Sequence, residues 1–317
     1  MPRTVVAVVP WMDADLRERI CRCAAEWGFE AAFFETEADA LSRAREAEIL
    51  FGMTPGLLAE AKCLRWLCVP FAGIDSLKGR VPEGVLLSNG AGAYGVTISE
   101  HVIMVLLMLM RGEMDVFRRI EQRIWRRGQS MDTLYGKRVL ILGTGDIGRN
   151  MAARLAVFGV CSIAGVNRTG HAAPGFDRVA ALSDADSLFA EADVVINCLP
   201  GTQETENAVS EKRIALLPRG AYFVNVGRGI TVDETALARA LAEGRLSGAA
   251  LDVARKEPPE AESPLWAAPN LLLTPHCAGD MTARVTRQRC AEMFMQDLEN
   301  YAKGRPLAHA ADPVRGY

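Results

Sequence analysis

The sequence has no C-x-x-C pair and no cysteine and histidine spacing of the kind that holds zinc, although it carries eight cysteines, at positions 21, 23, 63, 68, 161, 198, 277 and 290. These lie mostly within apolar segments and are expected to be reduced core thiols, with no metal site. Long hydrophobic runs are also lacking. The longest, Val102 to Met110, is nine residues, well short of the roughly 20 needed to cross a bilayer. The N-terminal Met1-Pro2-Arg3-Thr4 leads into only five apolar residues, Val5 to Val9, too few for the hydrophobic region of a secretory signal. A cytoplasmic address and no membrane partner are expected. Charge of one sign is scarce too: the formal net charge is −3, which offers no basic field for nucleic acid. A local basic stretch, Arg111, Arg118, Arg119, Arg123, Arg126 and Arg127, alternates with Met114, Phe117, Ile120 and Trp125 and suggests a solvated helix whose apolar side is packed. Internal repeats and low-complexity tracts are absent, leaving only a proline-rich loop at Pro258-Pro259.

Half of the 317 residues are hydrophobic and 24% are charged, the profile of a globular chain long enough for two cores. Apolar runs that suggest strands (Val5–Val9, Ile49–Met53, Trp66–Val69, Val85–Leu87) alternate with helical patterns such as Asp15–Trp27. This is the rhythm of a parallel α/β layer. A long helical segment from about Tyr94 to Gly112 interrupts it, followed by a polar stretch to Gly136. A second series then begins, with strand candidates at Val139–Leu142, Ser162–Val166, Val194–Asn197, Tyr222–Asn225, Ala249–Leu251 and Leu271–Leu273. The last helical segment, about Ala283 to Lys303, is expected to return to the first lobe. The fold class is therefore α/β, with two doubly wound domains, Rossmann-like or flavodoxin-like, and a cleft between them. The expected boundaries are residues 1–96 plus 282–317 for a substrate-binding domain and 97–281 for a nucleotide-binding domain.

The second series opens on Gly143-Thr144-Gly145-Asp146-Ile147-Gly148. A lone G-x-G-x-x-G is a weak signal, but here Val139 to Leu142 precede it as a strand and Arg149 to Ala156 follow it as a helix. In that setting Gly143 permits the tight turn, Gly145 lets a pyrophosphate reach the backbone, and Gly148 lets helix and strand pack. The amides of Asp146, Ile147 and Gly148 open the helix and suit phosphate. Nineteen residues after Gly148, where a carboxylate would accept the adenosine ribose hydroxyls, the chain instead has Asn167-Arg168-Thr169. Nothing there repels a 2′-phosphate, and a guanidinium and a hydroxyl could bind one. NADP(H) is expected over NAD(H), with NAD(H) still possible.

Three further segments each put an ionisable residue just past a strand of this domain, where ligands of open α/β sheets collect. They are Asn225-Val226-Gly227-Arg228-Gly229, Asp252-Val253-Ala254-Arg255-Lys256-Glu257-Pro258 and Thr274-Pro275-His276-Cys277-Ala278-Gly279. With them the chain resembles the D-isomer-specific 2-hydroxyacid dehydrogenases over nearly its whole length, including the Phe71-Ala72-Gly73-Ile74-Asp75 loop of the first lobe. The likeness extends to the NADP-preferring, glyoxylate/hydroxypyruvate reductase-like members. It implies an oxidoreductase that interconverts a small 2-oxo acid and its D-2-hydroxy acid. Such a reaction needs a cation for the carboxylate and an acid for the carbonyl oxygen. Arg228 supplies the cation, His276 the proton, and Glu257 would hold the far ring nitrogen of His276.

The same resemblance implies that the backbone of Ala72, Gly73 and Ile74 binds the substrate carboxylate together with Arg228 and His276. It also places Cys198, Leu199, Pro200 and Thr202 beside the adenosine and phosphates, Val226 and Gly227 along the cofactor, and Asp252 near the carboxamide. Asn89, Glu100 and His101 fit the crossover region and are expected to be structural. Cys277 is expected to line the site rather than act as a nucleophile. Trp266 is expected in the core, and Phe71 and Tyr94 are open candidates for shaping the substrate side. The family dimerises through its nucleotide-binding domain, so a homodimer is expected, with the Met104–Trp125 region contributing. Two alternatives stay open: a dinucleotide-sensing, corepressor-like binding protein, and a different acid substrate such as formate.

Overall fold

The computed structural model describes residues 3–52, 55–128 and 130–313. By contact the chain divides into two compact units, Met1–Tyr94 with Asp280–Tyr317, and Gly95–Gly279.

The first unit is built on five strands, β1 (Arg3–Val8), β2 (Phe29–Phe34), β3 (Ala47–Gly52), β4 (Trp66–Cys68) and β5 (Leu86–Ser88). They pair in parallel in the order β2-β1-β3-β4-β5. Successive residues of β1 alternate between two cores: Val5 and Ala7 pack with Leu16, Ile20 and Phe294, while Val6 and Val8 pack with Ala40, Leu50 and Leu57. A sheet covered on both faces needs such near-continuous apolar strands. Helix Arg284–Ala302, far away in sequence, closes the first of these cores. Its Phe294 stacks on Phe51 with ring centroids 4.4 Å apart and on Trp66 at 5.4 Å. The expected strand Ile49–Met53 is observed as Ala47–Gly52, and Met53 lies outside the described residues. Strand β2 has no counterpart among the expected strands. It is an edge strand with most residues half-exposed, and Glu30 interrupts its apolar residues after Phe29.

The second unit begins with helix Gly95–Arg111 and carries seven strands, β6 (Arg138–Leu142), β7 (Ser162–Asn167), β8 (Arg178–Ala181), β9 (Val194–Asn197), β10 (Ala221–Asn225), β11 (Leu246–Leu251) and β12 (Leu271–Leu273). Their order is β12-β11-β10-β9-β6-β7-β8, all parallel. The chain winds outward in one direction from β6 and in the other from β9. The switch point therefore lies between those two strands, the place where ligands of such sheets bind. The seventh strand, β8, was not anticipated. It too is a half-exposed edge strand, and its sequence Arg-Val-Ala-Ala carries little apolar signal.

Three other expectations need correction. Helix Glu113–Glu121 in the Arg-rich stretch has no buried residue, and Phe117, Ile120, Ile124, Trp125 and Met131 are all exposed. Its apolar side is not packed within the chain. Trp266, expected in the core, is 57% exposed and donates its indole N–H to the Glu260 carbonyl at 2.8 Å. Among the cysteines, all free, only Cys68 and Cys290 are buried, while Cys63, Cys161 and Cys277 are exposed. Among the described residues no single helix is long and apolar enough to cross a membrane.

Candidate active site

The glycine-rich loop leaves β6 at the switch point. Gly143 adopts φ 103°, a left-handed conformation open to glycine, and its amide donates to the Val166 carbonyl of β7 at 2.8 Å. A side chain at Gly148 would bring a Cβ closer than 3.0 Å to the Gly143 carbonyl oxygen, so glycine there allows the helix to follow the turn so closely. Gly145 differs: nothing lies within 4 Å of where its Cβ would be. Space is therefore open in front of helix Asp146–Val157, whose first intrahelical bond runs from Arg149 N to Gly145 O. The amides of Ile147 and Gly148 precede that bond and lie at the positive end of the helix dipole. An open, amide-lined cradle of this kind fits a dinucleotide pyrophosphate.

Around the cradle, the end of β7 is organised by Asn167. Its Oδ1 accepts the amides of Thr169 (3.2 Å) and Gly170 (2.7 Å), and its Nδ2 donates to Thr144 Oγ1 (3.1 Å) and to the His171 carbonyl (2.9 Å). The side chain that stands where a ribose-binding carboxylate is usual is thus engaged in shaping the loop. Arg168 and Thr169 are left on its exposed rim. Thr144 was not singled out from sequence; it enters the site through its bond to Asn167. After β9, Cys198 N donates to Leu142 O at 2.8 Å, tying this strand end to the glycine loop. Burial pushes the Cys198 thiol up to about 12. Leu199 sits in the core, so what it can offer a ligand is main chain. Pro200 and Thr202 continue the loop, in which the Thr202 amide and Thr205 Oγ1 are 2.9 Å apart.

Arg228 follows β10 on a loop that glycines hold against two others. A Cβ at Gly227 would lie 2.5 Å from the Leu199 carbonyl oxygen, and one at Gly229 would collide with the Ala254 backbone. Val226 beside it is buried. Arg228 is half-buried and donates from Nη1 to the Gly227 carbonyl at 2.9 Å. The Ala254 amide donates in turn to Glu257 Oε1 at 3.1 Å, and Glu257 Oε2 lies 2.8 Å from His276 Nδ1. The expected Glu257–His276 pair is therefore in direct contact, and the Arg228 loop touches the segment that carries Glu257.

His276 sits at φ 53°, a left-handed conformation that histidine adopts more readily than most residues. Asp252 holds it there. The Asp252 carbonyl accepts the His276 amide at 2.8 Å, and its buried carboxylate accepts Cys277 N (2.9 Å), Ala278 N (2.9 Å) and Thr274 Oγ1 (2.5 Å). Thr274 Oγ1 lies 3.4 Å from His101 Nε2. Burial lowers the pKa of His101, against the raising effect of Asp252. The Cys277 thiol is held above its ordinary value, first by desolvation and then by Asp252, which argues against a nucleophile. With Nδ1 engaged by Glu257, the His276 ring keeps Nε2 for proton exchange. Both side chains are about half-exposed, 49% and 41%.

In the first unit the Phe71–Ile74 loop follows β4. Asn89 Nδ2 donates to the Ala72 carbonyl at 2.7 Å, Gly90 N donates to Phe71 O at 3.0 Å, and Ile74 is buried. Tyr94 is buried there, its hydroxyl donating to the Pro70 carbonyl at 3.0 Å. Among the described residues no group of three or more His, Cys, Asp or Glu side chains is arranged to hold a metal ion.

Residues 103–278 match the family model described as D-isomer specific 2-hydroxyacid dehydrogenase, NAD binding domain. A glyoxylate/hydroxypyruvate reductase B of Pectobacterium carotovorum is 35% identical over 236 residues, 73% of this chain and 73% of that one. A crystal structure of a D-isomer specific 2-hydroxyacid dehydrogenase family protein from Aeromonas salmonicida superposes with a TM-score of 0.86 at 34% identity, over 99% of this chain and 100% of the other. A D-isomer specific 2-hydroxyacid dehydrogenase from Xanthobacter autotrophicus, in complex with NADPH and MES, gives 0.80 at 28% identity over 100% of both chains.

Proposed function

The chain belongs to the D-isomer specific 2-hydroxyacid dehydrogenase family, and from that premise we propose that it is an NADP(H)-preferring reductase of a small 2-oxo acid of the glyoxylate or hydroxypyruvate type. The observation that carries this reading is the 2.8 Å contact between His276 Nδ1 and Glu257 Oε2 at the end of a sheet whose switch point holds the glycine cradle.

When bound, the nicotinamide supplies the hydride in reduction and accepts it in oxidation. Every other duty falls to residues of this protein. The guanidinium of Arg228 binds the substrate carboxylate and polarises the adjacent carbonyl. His276 donates the proton from Nε2 to the carbonyl oxygen as it becomes a hydroxyl, and removes it in the reverse direction. Glu257 fixes the ring's orientation through Nδ1. The Ala72-Gly73-Ile74 loop is assigned to the substrate carboxylate as part of the same reading. Gly143, Gly145, Asp146, Ile147 and Gly148 would hold the pyrophosphate, with Cys198, Leu199, Pro200, Thr202, Val226 and Gly227 lining its course. Asp252 shapes the His276 loop and would lie near the carboxamide.

Support for NADP(H) comes from Asn167, which brings no negative charge to the ribose, and from the exposed Arg168 and Thr169 beside it. The Xanthobacter relative was crystallised with NADPH. A homodimer belongs to this reading as well. Phe117, Ile120 and Trp125 expose an apolar surface that a second copy would cover, and the mass of the protein in solution reads this directly. Eight free thiols suit a reducing, cytoplasmic setting.

The test is His276→Ala. Turnover should fall by about 10²-fold or more, the usual weight of a general acid, while NADPH still binds as followed by its fluorescence. Near wild-type turnover refutes the assignment.

A further inference from the structure

Three polar side chains lie fully buried beneath the Arg228 loop: Asn197, which ends β9, Asn225, which ends β10, and Thr231, each 0% exposed. The two asparagines occupy paired positions on adjacent strands. Buried amides and hydroxyls survive only when their hydrogen bonds are made, and here they are. Asn197 Nδ2 donates to Asn225 Oδ1 (2.9 Å) and to Thr231 Oγ1 (2.6 Å), and its Oδ1 accepts the Leu199 amide (3.2 Å). Asn225 Oδ1 also accepts the Gly227 amide (3.0 Å), and its Nδ2 donates to the Arg228 carbonyl (3.2 Å). Thr231, having accepted from Asn197, donates its one hydroxyl proton to the same Arg228 carbonyl at 2.6 Å.

Donors and acceptors match around this circuit in one sense only. Flipping either amide would set N–H against N–H or oxygen against oxygen. Two side chains thus converge on the Arg228 carbonyl, while the amides on either side, Gly227 and Leu199, are held by the same pair of asparagines. We propose that Asn197 and Thr231 are positioning residues for Arg228: their buried hydrogen bonds fix its main chain relative to the Leu199 loop and so set the direction from which the guanidinium meets the substrate carboxylate. This rests on the reading of Arg228 as the carboxylate-binding residue. A buried network serves such a purpose because its geometry is specified bond by bond, whereas apolar packing tolerates small slides.

Thr231→Val keeps the shape and removes the hydroxyl, leaving the Arg228 carbonyl and Asn197 Nδ2 each short of a partner. Thr231→Ser keeps the hydroxyl. With glyoxylate as the probe, T231V should raise KM by about tenfold, the scale of a small misplacement of a binding group, with the NADPH dissociation constant changed by less than about twofold. T231S should restore KM to within about twofold of wild type. If T231V does not fold, Thr231→Ala is read against T231S in the same assay. An unchanged KM in T231V or T231A overturns the proposal. So does a T231S enzyme as impaired as the variant lacking the hydroxyl, because volume rather than hydrogen bonding would then be at issue. Arg228→Ala separates the premise from the inference: an R228A enzyme with wild-type KM removes the assigned role of Arg228, whereas a defective R228A beside an unaffected T231V removes only the role of Thr231.

Discussion

Replacing Gly145 and Gly148 by alanine, one at a time, asks the same chemical question of two positions three residues apart and should get different answers for stability. At Gly145 the backbone is ordinary (φ −76°) and the added methyl meets nothing within 4 Å. The substitution narrows the unfolded ensemble, which favours the folded state by about 0.4–1 kcal/mol, and gives up a modest preference for glycine at a helix cap. Stability should change by less than about 1 kcal/mol, or about 2–4 °C in Tm for a domain of this size. Yet the methyl stands in the space assigned to the pyrophosphate, so the NADPH dissociation constant should rise at least about tenfold, or ~1.4 kcal/mol. At Gly148 the methyl overlaps the Gly143 carbonyl oxygen. Overpacking of this kind costs about 1–3 kcal/mol, offset in part by the ~1 kcal/mol by which alanine is the better helix former. G148A should therefore lose both stability and cofactor binding. Thermal denaturation without cofactor and a fluorescence titration with NADPH give both readouts. A folded G145A protein that binds NADPH as tightly as wild type refutes the placement of the phosphates.

Two other outcomes follow from the geometry. Arg168→Ala should raise KM for NADPH by about tenfold, the value of one charge-assisted hydrogen bond, and leave KM for NADH within about twofold; equal changes for both would assign Arg168 to the adenine instead. The second concerns acid stability. His101 has its pKa lowered by burial, so the folded state binds its proton less readily than the unfolded chain does. Its contribution to stability is then present above the unfolded value near 6.5 and is lost as pH falls through that value towards the folded pKa, with no further loss below it. Wild type should lose more Tm than His101→Gln on going from about pH 7.5 to about pH 5.5. Parallel Tm profiles would show that His101 does not titrate differently on unfolding.

The sequence was most informative where chemistry and chain order coincide. Arg228, Glu257 and His276 each follow an apolar run that becomes a strand of one sheet, β10, β11 and the edge strand β12, and a parallel sheet gathers such strand ends along one side. It was least informative where burial is partial. Strands β2 and β8 at the sheet edges alternate too weakly to be noticed, and Trp266 is exposed although its aromatic character suggested core. The exposed side of Phe117, Ile120 and Trp125 cannot be told from a packed one by periodicity alone, since both present the same stripe. The supports of the site were hidden for a different reason. Asn197, Asn225 and Thr231 look like three isolated polar residues, and only the pairing of β9 with β10 turns them into one circuit. Asp252 illustrates the same limit: the resemblance assigned it to the cofactor, while the fold makes it the anchor of the left-handed His276.

The proposed reaction is tested by the initial rate of cofactor oxidation with a panel of 2-oxo acids, glyoxylate and hydroxypyruvate among them, at equal subsaturating NADPH and NADH. At least one small 2-oxo acid should be turned over to its hydroxy acid, faster with NADPH than with NADH. Cofactor binding without turnover of any acid in the panel, or a clear preference for NADH, would contradict it.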